Sequence, residues 1–281
     1  MAISRAQLVK ELEPGLNALF GLEYKRYENQ HAEIYNEESS DRAFEEEVML
    51  SGFANAQVKG EGSGVSFDEA QETFTARYTH ETVALAFAIT EEAIEDNLYD
   101  RLASRYTKAL ARSMANTKQV KAANVLNNAF GTANGGDGKE LCATDHPITA
   151  GTEQNELTTA ADLNETSLEQ ALIDIAALTD ERGLKIAAKG MKLIVPSALQ
   201  FTAERLMKST QRVGTADNDI NAVVSMGMIP QGYSVNHYLT DTDAYFIKTD
   251  VPNGLKHFVR APLKTAMEGD FTTGNVRYKA R

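Results

Sequence analysis

No proline or glycine occurs between Thr90 and Phe130. Across that stretch Ile94, Leu98, Leu102, Tyr106, Leu110 and Met114 recur every four residues, and Thr117, Val120 and Ala123 continue the row. This is the spacing of one helix face. Thr90 is placed to cap the helix, with Glu91 and Glu92 in the first turn, where the helix dipole favours carboxylates. Gly131 supplies the stop. An unbroken helix of this length spans ~60 Å at 1.5 Å per residue. That is as long as a whole small domain, so most of it cannot pack inside one compact core. It reads as a spine, and a chain of 281 residues has enough material to build two lobes on it.

Before the spine, "VKGEGSGVSFDEAQETFTARYT" (Val58–Thr79) starts with three glycines in five positions and then alternates like a strand. Phe74, Ala76 and Tyr78 share one face. Val83, Leu85, Phe87 and Ile89 form a second set offset by one residue, which turns the apolar side over. A bulge or a change of packing partner is therefore expected near His80–Thr82. The ribbon reads as about 52–82. Upstream, residues 1–50 read as helical pieces with acidic connections. Ser4 is placed to cap a short helix through Glu13, stopped by Pro14 and Gly15, and "YNEESSDRAFEEEV" reads as a solvated arm.

After the spine, "GTANGGDGKELCATDHPITAGTEQNELT" is a long loop with room for a hairpin. Ser167 with Gln170, and Ser197 with Gln200, have the spacing of capping boxes for two helices, the first presenting Leu168, Leu172, Ile175 and Leu178 to a core. "MKLIV", "AVVSMGMI", "YSVNHYL", "AYFIKT" and "LKHFVRA" read as strands, and "PLKTAMEGDFTTGNVRYKA" as an extended hairpin. Strands and helices mix without a repeated βαβ order, so the fold class is α+β.

Few residues offer chemistry. Cys142 and His146 are four apart, the material of a Cys–His nucleophile, but Pro147 makes the segment a turn and no third partner is evident. His31, His80, His237 and His257 show no metal-ligand spacing, and Asp241 and Asp243 fit a turn between strands. No catalytic, metal or cofactor site is expected, and no cofactor. One cysteine excludes an internal disulfide framework, and no apolar run of membrane-spanning length occurs. A formal net charge of -12 and the lack of any Lys/Arg-rich run disfavour nucleic-acid recognition, which needs cations to displace phosphate counterions.

The order of parts (helical arm, glycine-tipped ribbon, very long helix, loop, mixed lobe) resembles the major capsid proteins of tailed bacteriophages, which have the Hong Kong 97-like fold. The stretches Ala86–Phe130, Asp137–Pro147, Asn218–Ile247 and Gly269–Arg281 carry the resemblance. It implies an N-terminal arm over 1–50 and an extended loop over 51–82. A peripheral domain would take 83–154 and 256–281, with the spine helix at about 90–130, and an axial domain 155–255. It further implies a structural, non-enzymatic protein that assembles into hexamers and pentamers of an icosahedral head, made in the host cytoplasm and resident in the virion. That head would enclose double-stranded DNA without sequence-specific binding and without a membrane. The partners implied are a separate scaffolding protein, a portal and room for a decoration protein. An encapsulin-like shell shares the fold and is the alternative; a Cys–His hydrolase is the alternative from another class. The ribbon has too few large side chains to bury a face of its own. Lys59, Phe67, Glu72, Phe74, Arg77 and Tyr78 are therefore the expected contacts to a neighbouring subunit.

Overall fold

The computed structural model describes residues 5–90, 92 and 93, 99–131, 135–212, 219–270 and 272–281; the side chains of 5–12 and 99–102 lie outside the described set. Its helices are α1 (Arg5–Lys25), α2 (Tyr99–Asn127), α3 (Glu165–Ala177), α4 (Gln200–Lys208) and the single turn α5 (Ala222–Ser225). The strands, in chain order, are β1 (Asn36–Ser39), β2 (Phe44–Leu50), β3 (Glu72–Thr79), β4 (Leu85–Ile89), β5 (His146–Ile148) and β6 (Gly151–Glu153). They continue as β7 (Gly190–Pro196), β8 (Tyr233–Asn236), β9 (Phe246–Thr249), β10 (Lys256–Val259), β11 (Thr265–Gly269) and β12 (Val276–Ala280).

The spine is α2, whose 29 residues make a rod of about 44 Å. At its expected start, Ala93 N–H donates to Thr90 Oγ1 at 3.4 Å, as a cap requires. Glu91, Ile94 and Leu98 lie outside the described residues, as does the Leu102 side chain. The helix ends at Asn127, three residues short of the expected Phe130, and turns carry the chain to Gly131. The buried stripe keeps Leu110, Met114 and Ala123 of the predicted row, but Tyr106 and Val120 are exposed and small residues one position on are buried instead. Ala103, Thr107, Ala111, Ala115 and Ala123 are buried with Leu110 and Met114, whereas Tyr106 is half exposed. The buried positions are small because α1 lies along them: Leu16 and Phe20 of α1 share one core with Ala103, Leu110, Ala111 and Met114.

That packing also explains why Pro14 does not stop the first helix. It sits inside α1, which runs on to Lys25. A mid-helix proline costs about 3 kcal/mol, and the burial of Leu16 and Phe20 beyond it offsets that cost at roughly 1.5–3 kcal/mol per side chain. The expected Ser4 cap lies outside the described residues.

The first core is closed by the sheet β11-β12-β4, antiparallel throughout, with Tyr278 and Ile89 facing inward. Tyr278 is almost fully buried between Phe20 and Phe87, and its hydroxyl donates to Asn17 Oδ1 at 2.8 Å. A second core holds Leu168 and Leu172 of α3, Leu193 and Val195 of β7, Ala203 and Leu206 of α4, and Val223 and Ile229. Its sheet is β8-β7-β9, parallel on one side of β7 and antiparallel on the other. Between Leu193 and Val195, Ile194 points to the opposite face, where it meets Ile34, Tyr35, Ala122 and Leu126. The far end of α2 thereby joins the two lobes.

Local details depart from the sequence reading in three places. The cap of α3 is Asn164, whose side chain accepts from Ser167 N–H while Ser167 Oγ accepts from Asn164 N–H; Ser167 is the third helical residue, not the cap. Ser197 opens a 3-10 turn with no side-chain cap, and α4 begins only at Gln200. "AVVSMGMI" is not a strand, because Asn221 accepts from Val224 N–H and closes the turn α5.

Candidate assembly interface

The ribbon starts earlier than its sequence indicates. Its first strand is β2, inside the acidic run read as a solvated arm. It pairs antiparallel with β3 from Phe44↔Thr79 to Val48↔Thr75, and an irregularity precedes Leu50↔Glu72. Residues 51–71 between the two strands carry no strand of their own, and neither do 80–84. The parity change near His80–Thr82 is a change of partner: β3 pairs with β2, and β4 with β12.

The base of the ribbon is anchored to its own chain. The Tyr78 ring packs on Phe258 of β10 with centroids 5.8 Å apart. A Cβ on Gly136 would come within 3.0 Å of Phe74 and 3.1 Å of Ala76, so only glycine lets that loop lie against β3. Lys256 is ion-paired with Glu47 and lies 3.8 Å from Glu38. Arg77 Nε donates to Glu46 Oε1 at 2.7 Å, and its guanidinium covers the Phe44 ring at 4.5 Å.

The loop beyond the strands is closed at its neck. Ser51 N–H donates to Gln71 O at 2.8 Å, and Gln71 N–H returns to Ser51 Oγ at 2.9 Å. Asp68 accepts from Ala54 N–H at 2.7 Å and from Arg182 Nη2 at 2.8 Å, which ties the neck to the second lobe. The Ala54 bond, helped by Arg182, holds the Asp68 carboxyl below the usual carboxylate range.

Past that neck the loop is uncovered among the described residues. Val58 is 99% exposed and Phe67 97%, with Phe53 and Val65 largely exposed as well. The structure thus divides the six expected contact residues. Phe74, Arg77 and Tyr78 have partners within their own chain, whereas Lys59, Phe67 and Glu72 face solvent. Sequence reasoning missed Phe53, Val58 and Val65, which a scan for apolar residues flanking the glycines would have found.

The Cys142–His146 pair does not make an active site. His146 Nδ1 is 2.6 Å from Asp137 Oδ2, and its Nε2 is buried without a partner, closed to a substrate. Burial would raise the Asp137 carboxyl, but the bonds from His146 and from Lys139 N–H outweigh it and hold the group low. Burial, with Glu156 nearby, pushes the Cys142 thiol up to about 12. The nucleophile is the thiolate, so at neutral pH this cysteine is inert. Cys142→Ser is expected to leave the fold and any assembly unchanged, checked by thermal melting and microscopy; loss of a hydrolytic activity in that variant would overturn this. A cluster of metal-ligand types, His31, Glu37 and His257, brings one ligand atom each within 4.8 Å of the others at the joint of β1, β10 and α2.

A sequence profile of the phage capsid protein family matches residues 72–281. No curated protein matches the chain. Among solved structures, the capsid of bacteriophage JBD30 superposes with a TM-score of 0.56 at 12% identity, covering 75% of this chain and 90% of that one. The JBD30 procapsid gives 0.56 at 14% identity over 84% and 100% of the two chains. The virus-like particle from Pyrococcus furiosus gives 0.51 at 11% identity over 95% and 90%. The profile covers the ribbon's second strand, the spine and both lobes. The chain belongs to the phage capsid protein family, with the Hong Kong 97-like fold.

Proposed function

We propose that the subunit forms hexameric and pentameric rings in which the loop of the ribbon lies across the adjacent subunit. The observation that carries this is Phe67 and Val58, almost wholly exposed on a loop whose neck and base are already tied to their own chain. Burying each such side chain contributes roughly 1.5–3 kcal/mol, and a ring offers every subunit the same neighbouring surface. Lys59 and Glu72 would make polar contacts at the rim. In this reading residues 1–50 are the arm and 51–82, extended back to Phe44, the loop. The peripheral domain is 83–154 with 256–281, and 155–255 is the axial domain at the ring centre.

The head encloses double-stranded DNA without gripping it, in keeping with the net charge of -12. A separate scaffolding protein, a portal and a decoration protein are the further partners, the virion is the final location, and synthesis is in the host cytoplasm. The role is not enzymatic, in keeping with an un-ionised Cys142. The test is sedimentation and negative-stain microscopy of the protein expressed with its scaffold, followed by nuclease treatment. Rings and closed shells that protect DNA are expected. A monomer at every concentration, or shells filled with protein cargo, would overturn the proposal.

A further inference from the structure

A cleft of about 1760 Å³ opens between the second lobe and the end of the spine. Leu126 of α2, Phe130 just past it, Ile175 of α3, Phe246 of β9 and Leu255 give it an apolar lining. Phe130 stacks on Phe246 with centroids 5.6 Å apart and is still half exposed. One cation in this lining stands apart. Lys192 of β7 is ion-paired with Glu33, and Lys256 of β10 with Glu47. Lys248 of β9 faces the cleft and is ion-paired with no carboxylate among the described residues; its Nζ lies 3.5 Å from Asn36 Oδ1. Burial first, then Lys192, lowers its pKa, which Glu33 only partly offsets. The charged ammonium is therefore short of a partner.

The far end of the ribbon loop is shaped to supply one. Ser63 N–H donates to Gly60 O at 3.2 Å, and Gly62 has a φ of +77°. That is a type II turn, which needs a positive φ at its third residue. It places Glu61 at the apex of the loop, exposed and without a hydrogen bond or ion pair among the described residues. Val58 stands on one side of the turn, and Val65 and Phe67 on the other, all exposed. The tip thus carries the complement of the cleft: a carboxylate between apolar side chains, against an ammonium on an apolar lining. From Ala54 at the neck to Glu61 the extended chain reaches about 25 Å, far enough to cross onto a neighbour. In its own chain the tip lies open and fills no cleft.

We propose that this cleft receives the Gly60–Ser63 turn of a second copy of the chain, with Glu61 paired to Lys248 and with Val58, Val65 and Phe67 on the apolar lining. The inference rests on the reading that the loop crosses to a neighbour, and adds where the loop lands. Tip and cleft are different surfaces of one subunit, so the contact is heterologous and a closed ring uses each of them once per subunit.

The test is a charge exchange on the full chain, read by sedimentation velocity over a range of concentrations. Glu61→Lys and Lys248→Glu should each raise the midpoint concentration for ring formation by about tenfold or more, because each sets like charges against each other across an interface. The double variant should recover most of the loss. Melting by circular dichroism checks each fold. Glu61→Lys alters only an exposed turn and carries the test if Lys248→Glu melts early. A second measurement needs no charge reversal. Glu61→Cys protein mixed with Lys248→Cys protein should give a disulfide-linked pair of unlike subunits under mild oxidation. Single variants that assemble like the parent, a double variant no better than the worse single, or no linked pair would each overturn the proposal. If those results came with rings lost on replacing Val58–Phe67 by a Gly/Ser linker, the loop would still be a clamp and only this landing site would fall. Rings that survive the replacement would remove both.

Discussion

Ala109→Pro is expected to leave little soluble protein and no particles. Ala109 is exposed in the middle of α2, so the substitution removes no packed side chain and tests the backbone alone. Proline deletes one main-chain donor and its ring collides with the preceding turn, at a cost of about 3 kcal/mol or more. The damage extends beyond that local figure. Leu110 and Met114, just past the break, belong to the first core, and Ala122 and Leu126, further along, to the cluster that joins the lobes. A kink at 109 cannot satisfy both. Ala109→Ser is the control and should behave like the parent. Soluble yield, melting by circular dichroism and microscopy read the result; normal shells from the proline variant would mean that α2 does not carry the relation between the lobes.

Replacing Val58–Phe67 by a short Gly/Ser linker is expected to give a folded subunit that forms no rings. The deletion leaves β2 and β3 paired and keeps the neck bonds of Ser51 with Gln71 and of Asp68 with Ala54 and Arg182. The residues removed include two of the most exposed apolar side chains among the described residues, so the melting temperature should hardly move. Obligate interfaces commonly bury about 2,000–5,000 Å² in total, and a loop that crosses a neighbour would supply a large share of that. Sedimentation velocity should show a shift from rings to single subunits. Rings of normal size from the deleted protein would show that the loop is not a clamp.

How much of this was legible depends on what each residue faces. The alternation of Val83, Leu85, Phe87 and Ile89 marked β4, and the 265–280 hairpin was plain, because those strands have one wet and one dry side. "FEEEVML" shows no such alternation, since both faces of β2 are largely exposed, and so a real strand looked like a charged loop. In α2 the large residues suggested the stripe. The closest packing, however, is made by Ala103, Thr107 and Ala111, whose small size matters only because another helix lies on them. Among the candidate contact residues, Arg77 looked free because its partner, Glu46, lies on the other strand of the ribbon. The contacts of Gln119 with His31 and of Gln30 with His237 left no trace in spacing, because each joins elements far apart in the chain.

The placing of β12 bears on how the subunit is made. It is the middle strand of its sheet, and β4 has no other strand to pair with until β12 arrives, about 190 residues later. β1 waits still longer for β10, about 220 residues downstream. Such distant pairings are slow to close, because loop entropy is lost before the contacts form. On the ribosome, the arm, the ribbon strands and the spine all emerge before the sheet that holds them can exist. A nascent subunit therefore cannot present a finished edge to its neighbours until β12 has emerged, and assembly waits for that strand.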